Sequence, residues 1–112
     1  MGNQHSPLLT LPLKLTGIVA QKTFVDLDGD TATAAAYAFG VADMDGAVGE
    51  TIAVTVQGTA KVLSSAAIAK GAKVEVAAAG KAATLAAGVA VGRALEAATG
   101  ADQTIEVLLI PN

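Results

Sequence analysis

The stretch Gly49–Leu63, GETIAVTVQGTAKVL, predicts two antiparallel β-strands joined by a turn. Ile52, Val54 and Val56 are spaced by two residues, so their side chains share one face of an extended chain. β-Branched residues are frequent in the same stretch, and they favour a pleated, half-buried surface. Because Gln57-Gly58 is a turn signal between the two apolar runs, we predict a β-hairpin.

The length of the turn decides which residues pair across this hairpin. A two-residue loop places Lys61 opposite Val54, which puts a charge on the apolar face. A three-residue loop pairs Val56 with Ala60 and Val54 with Val62, which leaves the apolar face continuous. The pattern favours the three-residue loop, and the predicted core face consists of Ile52, Val54, Val56, Ala60 and Val62.

Composition indicates one small domain with a thin core. The chain has 112 residues, of which 53% are hydrophobic but only 3% aromatic. Much of the apolar content is alanine, which contributes little at about 25 cal/mol per Å² of buried apolar surface. Since only 15% of the residues are charged, we expect other subunits to cover part of the apolar surface.

Charge and residue types exclude several classes of function. The net charge of −3 argues against nucleic-acid binding, which needs a basic patch. The absence of cysteine excludes disulfides and thiolate metal sites. The N-terminus lacks the pattern of a signal peptide, and no segment approaches the roughly 18 apolar residues that span a bilayer. We therefore expect neither nucleic acid nor a membrane among the partners.

Residues 1–13 are predicted to be an extended N-terminal arm, and residues 14–112 a single β domain. Alternate residues of the arm are leucine, whereas Pro7 and Pro12 remove backbone donors. Proline at these positions keeps the arm extended and argues against a central strand. An apolar arm needs a surface to lie against, and the sequence leaves open whether its own domain or a neighbouring subunit provides it.

Short alternating runs separated by Gly and Asp turns fill the rest of the chain. Their spacing of about 8–12 residues predicts an all-β fold, a small β-barrel or sandwich of about eight short strands. One helical turn is expected at Ser64–Lys70, with Ser64 as its N-cap. Besides the hairpin, strands are predicted in Thr16–Leu27, the second half of Ala32–Ala42, Lys73–Ala78, Ala82–Ala86, Val89–Glu96 and Thr104–Ile110.

Two parts of the chain resemble each other weakly. Gly40-Val41-Ala42 leads through an acidic loop to Thr51–Val54, and Gly92-Arg93-Ala94 leads through a similar loop to Thr104–Val107. Two copies do not define a solenoid, but they are consistent with two similar hairpins of a barrel.

An acidic turn has part of the pattern of a calcium loop. Asp26, Asp28 and Asp30 have the spacing of its first three ligands. However, glycine occurs at Gly29 instead of after the third aspartate, and Tyr37 occupies the position of the bidentate acid. The second acidic turn, Asp43–Gly46, fails in a similar way. We predict two solvated turns and no metal site.

No catalytic or cofactor-binding residue is predicted. His5 is the only histidine and lies in the N-terminal tail, where nothing holds it as a base. Lys81 follows Gly80, but Ala82 replaces the Ser or Thr of a phosphate loop. The alternative function is a biotinyl or lipoyl carrier domain, which is also a small Gly-rich β fold and presents a modified lysine on a tight hairpin.

An ordered set of short motifs resembles the small head-decoration, or capsid cement, proteins of tailed bacteriophages. The resemblance covers roughly Leu13 to Ile110, and the order of the motifs carries it. The motifs are Thr16-Gly17-Ile18-Val19, Gly40-Val41-Ala42, Gly49-Glu50, Val54-Thr55-Val56-Gln57-Gly58, Ala60-Lys61-Val62, Gly71-Ala72-Lys73-Val74 and Gly92-Arg93-Ala94.

This resemblance implies a structural virion protein without enzymatic activity or a cofactor. Such a protein is expected to bind the outer surface of the phage head, which is assembled in the host cytoplasm. There it would bridge neighbouring subunits of the major capsid protein, usually as a homotrimer, and stabilise the capsid. The arm would lie along the shell, so the expected capsid or subunit contacts are Leu8, Leu9, Leu11 and Leu13.

Overall fold

The chain folds into an all-β sheet that closes almost completely on itself. A computed structural model describes residues 7–110, and the side chains of residues 9–110. Within this range the spatial order is β2-β3-β4-β8-β7-β5-β6, and β1 pairs with β4 outside that order. The predicted all-β barrel or sandwich of about eight strands is therefore confirmed. The strands are β1 (Pro7–Lys14), β2 (Phe24–Val25), β3 (Gly40–Ala42), β4 (Thr51–Leu63), β5 (Lys73–Val76), β6 (Ala82–Thr84), β7 (Gly92–Ala94) and β8 (Thr104–Leu109).

β4 is one continuous strand of 13 residues, so the predicted hairpin within it is wrong. A three-residue hairpin loop and a straight strand both place the even-numbered residues from Ile52 to Val62 on one face. The hydrophobic pattern therefore cannot distinguish the two arrangements. The predicted core face is confirmed, since Ile52, Val54, Ala60 and Val62 are buried and Val56 is half-buried.

The two ends of β4 pair with different strands. Residues 51–58 pair with β1, and Val54 and Thr55 also pair with β3. Residues 59–63 pair with β8. Between the two regions Gly58 has φ of +94°, a conformation that favours glycine, and the register with β1 shifts beside it. Gly58 is thus an irregularity inside a long strand and not the corner of a hairpin.

Strands β5 to β8 lie within the segments predicted for them. The helical turn predicted at Ser64–Lys70 is wrong, because this segment is irregular, with two isolated β-bridges and no helical turn. Ile68 is buried and bridged to Ala98, and the Ser64 hydroxyl donates to the carbonyl of Gly100 instead of capping a helix. Burial of Ile68 outweighs the weak local preference for a helix. No helix within residues 7–110 is long and apolar enough to cross a membrane.

Two hydrophobic clusters fill the interior, and β4 contributes side chains to both. Ile52 and Val54 belong to the smaller cluster with Leu15 and Val19. Ala60 and Val62 belong to the larger one, which also contains residues of β2, β3, β5, β7 and β8. Most of these side chains are Val or Ala, so each buries a modest area. β4 therefore connects two cores that are individually small.

The two halves of the chain repeat one arrangement of strands. We define the first half as residues 7–58 and the second half as residues 59–110. Leu13 pairs with Ile52 where β1 meets β4, and the corresponding pair where β4 meets β8 is Val62 with Ile105. Each residue of the second half lies about 50 positions after its counterpart. β4 therefore belongs to both halves. Its residues 51–58 pair with β1 in the first half. Its residues 59–63 pair with β8 in the second half, where they take the place that β1 has in the first.

The connecting loops repeat as well. Val19 and Gly46 exchange two backbone hydrogen bonds of 2.9 Å, and Ile68 and Ala98 exchange two of the same length at the equivalent place. Likewise, β3 pairs with β4 as β7 pairs with β8. The weak internal resemblance seen in the sequence thus reflects a repeat that extends over most of the described chain.

Replacement of Gly58 by Ala is expected to destabilise the protein. An L-residue at a left-handed φ costs about 1–2 kcal/mol, so Gly58→Ala should lower the free energy of unfolding by about that amount. Gly100→Ala is the control, because its backbone is unstrained and a Cβ there meets nothing within 4 Å. Urea unfolding of both variants tests this, and equal stabilities would argue against a glycine requirement at Gly58.

Candidate binding surfaces

β1 carries the leucines predicted to make contacts, and it pairs along its length with β4 of its own chain. Exposure decreases along the strand: Leu9 is 39% exposed, Leu11 and Leu13 are half-buried, and the following Leu15 is buried. Leu13 packs against the smaller cluster. Leu8 belongs to β1, but its side chain is outside the described residues. Leu9 and Leu11 are therefore the most accessible of the described candidates.

A shallow apolar groove runs beside β1. Its lining combines Thr10, Leu11 and Pro12 with residues 51–53 of β4. The groove is formed within one chain, so residues 7–13 of the arm lie against their own domain along this edge. Contact of these leucines with a capsid or a second subunit stays a prediction.

The first acidic turn is held by hydrogen bonds between its carboxylates and its own backbone. Oδ1 of Asp26 accepts from the amides of Asp28 and Asp30 at 3.0 Å each. Oδ1 of Asp30 accepts from the amide of Thr31 at 2.8 Å. These contacts are those of a turn stabilised by aspartate side chains.

The second acidic turn is tied to neighbouring segments. Oδ1 of Asp45 accepts from the amide of Gln21 at 2.7 Å, and the Asp43 carboxylate accepts from the hydroxyl of Thr55 at 2.8 Å. In the described part of the chain, no group of three or more His, Asp or Glu side chains is arranged to hold a metal ion. His5 is outside the described residues.

Lys81, the lysine considered for a carrier domain, forms an ion pair with Asp102. It follows the 3-10 turn Ala78–Gly80 and is half-buried. A carrier lysine must extend away from its domain to reach another active site, whereas Lys81 is held against its own chain. The local geometry therefore gives the carrier hypothesis no support.

The aromatic residues of the chain, two Phe and one Tyr, all line one cavity between the two halves. The cavity has a volume of about 230 Å³, and two of its lining residues, Leu27 and Tyr37, are exposed. Phe24 and Phe39 line it from the first half, and Val91 and Leu109 line it from the second. This cavity was not predicted from the sequence, because its lining residues come from segments that meet only in the folded chain.

Several large apolar side chains remain exposed among the described residues, and most belong to the first half. The exposure of Ile18 and Val48 was not predicted, because alternation in short strands does not show which face a closed sheet covers. The exposed residues are Leu9, Ile18, Leu27, Tyr37, Met44, Val48, Val89 and Leu108.

These observations define a small all-β protein with apolar outer surfaces and, among residues 7–110, no cluster of metal-binding side chains. A protein-family model described as phage cement protein matches residues 3–109. The chain belongs to the phage cement protein family, and the resemblance found in its motifs is confirmed.

A solved structure supports the same fold. The chain is similar to the N base of the head fiber protein gp8.5 of bacteriophage phi29, with a TM-score of 0.73 and 15% sequence identity. The similarity covers 91% of this chain and 93% of the other. At this identity the likeness concerns the fold alone. No curated protein shows a significant match.

The exposure gradient along β1 predicts unequal effects of leucine truncation. Leu15→Ala should lower the free energy of unfolding by about 2–5 kcal/mol, because it leaves a cavity in the smaller cluster. Leu9→Ala, at an exposed site on β1, should cost less than about 1 kcal/mol. Chemical denaturation distinguishes the two, and a similar loss in both variants would contradict the burial described for Leu9.

Proposed function

We propose that this protein is a cement protein on the outer surface of a phage head, where it stabilises contacts between major capsid subunits. The observation that carries the proposal is membership of the phage cement family over residues 3–109. The fold supports it, since the similar phi29 structure is itself part of a head fiber. The described chain also offers exposed apolar residues that a shell protein would cover.

The proposed mechanism is the bridging of neighbouring capsid subunits by several weak contacts. Leu9 and Leu11 on β1 are the accessible described members of the predicted contact set, and Leu8 completes it as a sequence prediction. Each contact buries little area, and linkage of three chains in a homotrimer would raise the effective concentration of the remaining contacts once one has formed. Such a trimer resists detachment even when each chain binds weakly.

The proposal includes neither catalysis nor a cofactor. The carrier alternative requires covalent biotin or lipoate on a lysine, and Lys81 is ion-paired with Asp102. The intact mass of protein purified from infected cells distinguishes the two functions. An unmodified mass fits a cement protein, whereas an added biotin or lipoate fits a carrier domain.

Binding to phage heads tests the proposal directly. Purified protein mixed with expanded heads that lack it should co-sediment with them and raise the temperature at which the shells disrupt. Leu9→Ser with Leu11→Ser should reduce occupancy, because apolar contact area is lost. Thr84→Ser, at an exposed site on β6 outside β1 and its groove, is the control and should bind like the wild type. Failure of the wild-type protein to co-sediment would overturn the proposal.

The proposed homotrimer has its own test. Multi-angle light scattering at tens of micromolar should give about three times the chain mass of 10.9 kDa. A monomer at this concentration would contradict the trimer without excluding attachment to the shell.

A further inference from the structure

The outward face of the second half carries a row of side chains that crosses four strands. Lys73 pairs with Arg93, Arg93 with Leu108, and Leu108 with Thr59. Cross-strand partners share one face of a sheet. Leu108 is 42% exposed, and Lys73 and Arg93 are exposed as well. We call these four residues the basic row.

The equivalent row of the first half is covered at three of its four positions, and only Thr10 is exposed. Its members are Phe24, Val41, Thr55 and Thr10, which pair in the same order. Phe24 and Val41 are fully buried and belong to the larger cluster, most of whose members come from the second half. The first half thus packs this face against the second half, whereas the second half leaves the same face open. In stacked repeats, such an open face is where a further repeat would pack.

A complementary surface lies at one loop end of the first half. Ile18 is 78% exposed and Val48 66% exposed. The bridge between Val19 and Gly46 brings their two segments together, since Ile18 precedes Val19 and Val48 follows Gly46 by two residues. We call Ile18 and Val48 the apolar tip.

The fold does not require large side chains at the tip. In the second half the equivalent bridge joins Ile68 to Ala98, and the positions equivalent to Ile18 and Val48 hold Ala67 and Gly100. The same loop therefore forms with small residues in their place. Since the buried Val19 already anchors the loop to the core, the exposed side chains are free to serve an external contact.

The tip and the basic row have opposite electrostatic surroundings. The Asp30 carboxylate lies directly against Gly17, beside Ile18, while Asp45 and Glu50 accept from backbone amides of the tip loops. Residues 1–58 contain two lysines and six carboxylates, whereas residues 59–112 contain five cationic side chains and four carboxylates. An apolar surface with an acidic border thus exists in the same chain as Leu108, whose cross-strand partner Arg93 is cationic.

We propose that the apolar tip of one copy docks on the basic row of a second copy. Ile18 and Val48 would cover Leu108, while the acidic border of the tip faces Lys73 and Arg93. The contact is heterologous, because two different surfaces meet, and it closes into a ring when the rotation between copies allows it. The inference rests on the proposed function in one respect, because it names the two surfaces through which the proposed homo-oligomer forms.

A complementation experiment tests this arrangement. Ile18→Glu removes the tip but keeps the row, and Leu108→Glu removes the row but keeps the tip. Each variant should be monomeric by sedimentation velocity at about 50 μM, with its dissociation constant raised at least about tenfold. An equimolar mixture should form a one-to-one dimer, because one intact tip and one intact row remain. Leu27→Glu, at a 59% exposed site outside both surfaces, is the control and should assemble like the wild type.

The outcomes separate this inference from the proposed function. Thermal unfolding followed by circular dichroism verifies that each variant is folded. If Leu108→Glu is unfolded, Arg93→Glu is used in its place. Assembly of Ile18→Glu like the wild type, or a mixture that stays monomeric, overturns the inference. A folded Ile18→Glu that stays oligomeric but loses head binding would assign the tip to the shell instead. A wild-type oligomer that fails to bind heads contradicts the proposed function and leaves this contact intact.

Discussion

Backbone pairing of β4 is the interaction on which the rest of the structure depends. This strand forms hydrogen-bonded ladders with β1 and β3 at one end and with β8 at the other. It also supplies Ile52 and Val54 to one cluster, and Ala60 and Val62 to the other. Because so many side chains of the chain are Ala or Val, neither cluster buries much area by itself. Continuity of β4 through Gly58 means that the two small cores pack against one sheet.

The repeat explains how a chain that is rich in small apolar residues can support a specific function. Both halves use the same strand pairings and the same loop bridges, so the scaffold does not determine what the outer surfaces carry. The surfaces differ instead: the first half is acidic with large exposed apolar residues, and the second half is weakly basic and rich in alanine. An asymmetric molecule of this kind can present different contacts to a shell and to its own copies.

The sequence predicted the fold class, the core face of β4, strands β5 to β8 and the family. It did not predict that Gln57-Gly58 lies inside a strand. The even-numbered apolar residues share one face both in a hairpin with a three-residue loop and in a straight strand, so the pattern cannot distinguish the two. The helical turn at Ser64–Lys70 failed because burial of Ile68 is a tertiary effect. The pairing of the leucine arm with β4, the aromatic cavity and the tip all depend on which distant segments meet. Local patterns contain no such information.

The proposed cement function requires this small β protein to bind the outside of a phage head. Electron cryomicroscopy of heads reconstituted with the purified protein tests it most directly. We expect density for the protein on the outer surface of the shell, in contact with at least two neighbouring major capsid subunits. Density confined to the interior of the head, or contact with a single capsid subunit and no neighbour, would contradict it.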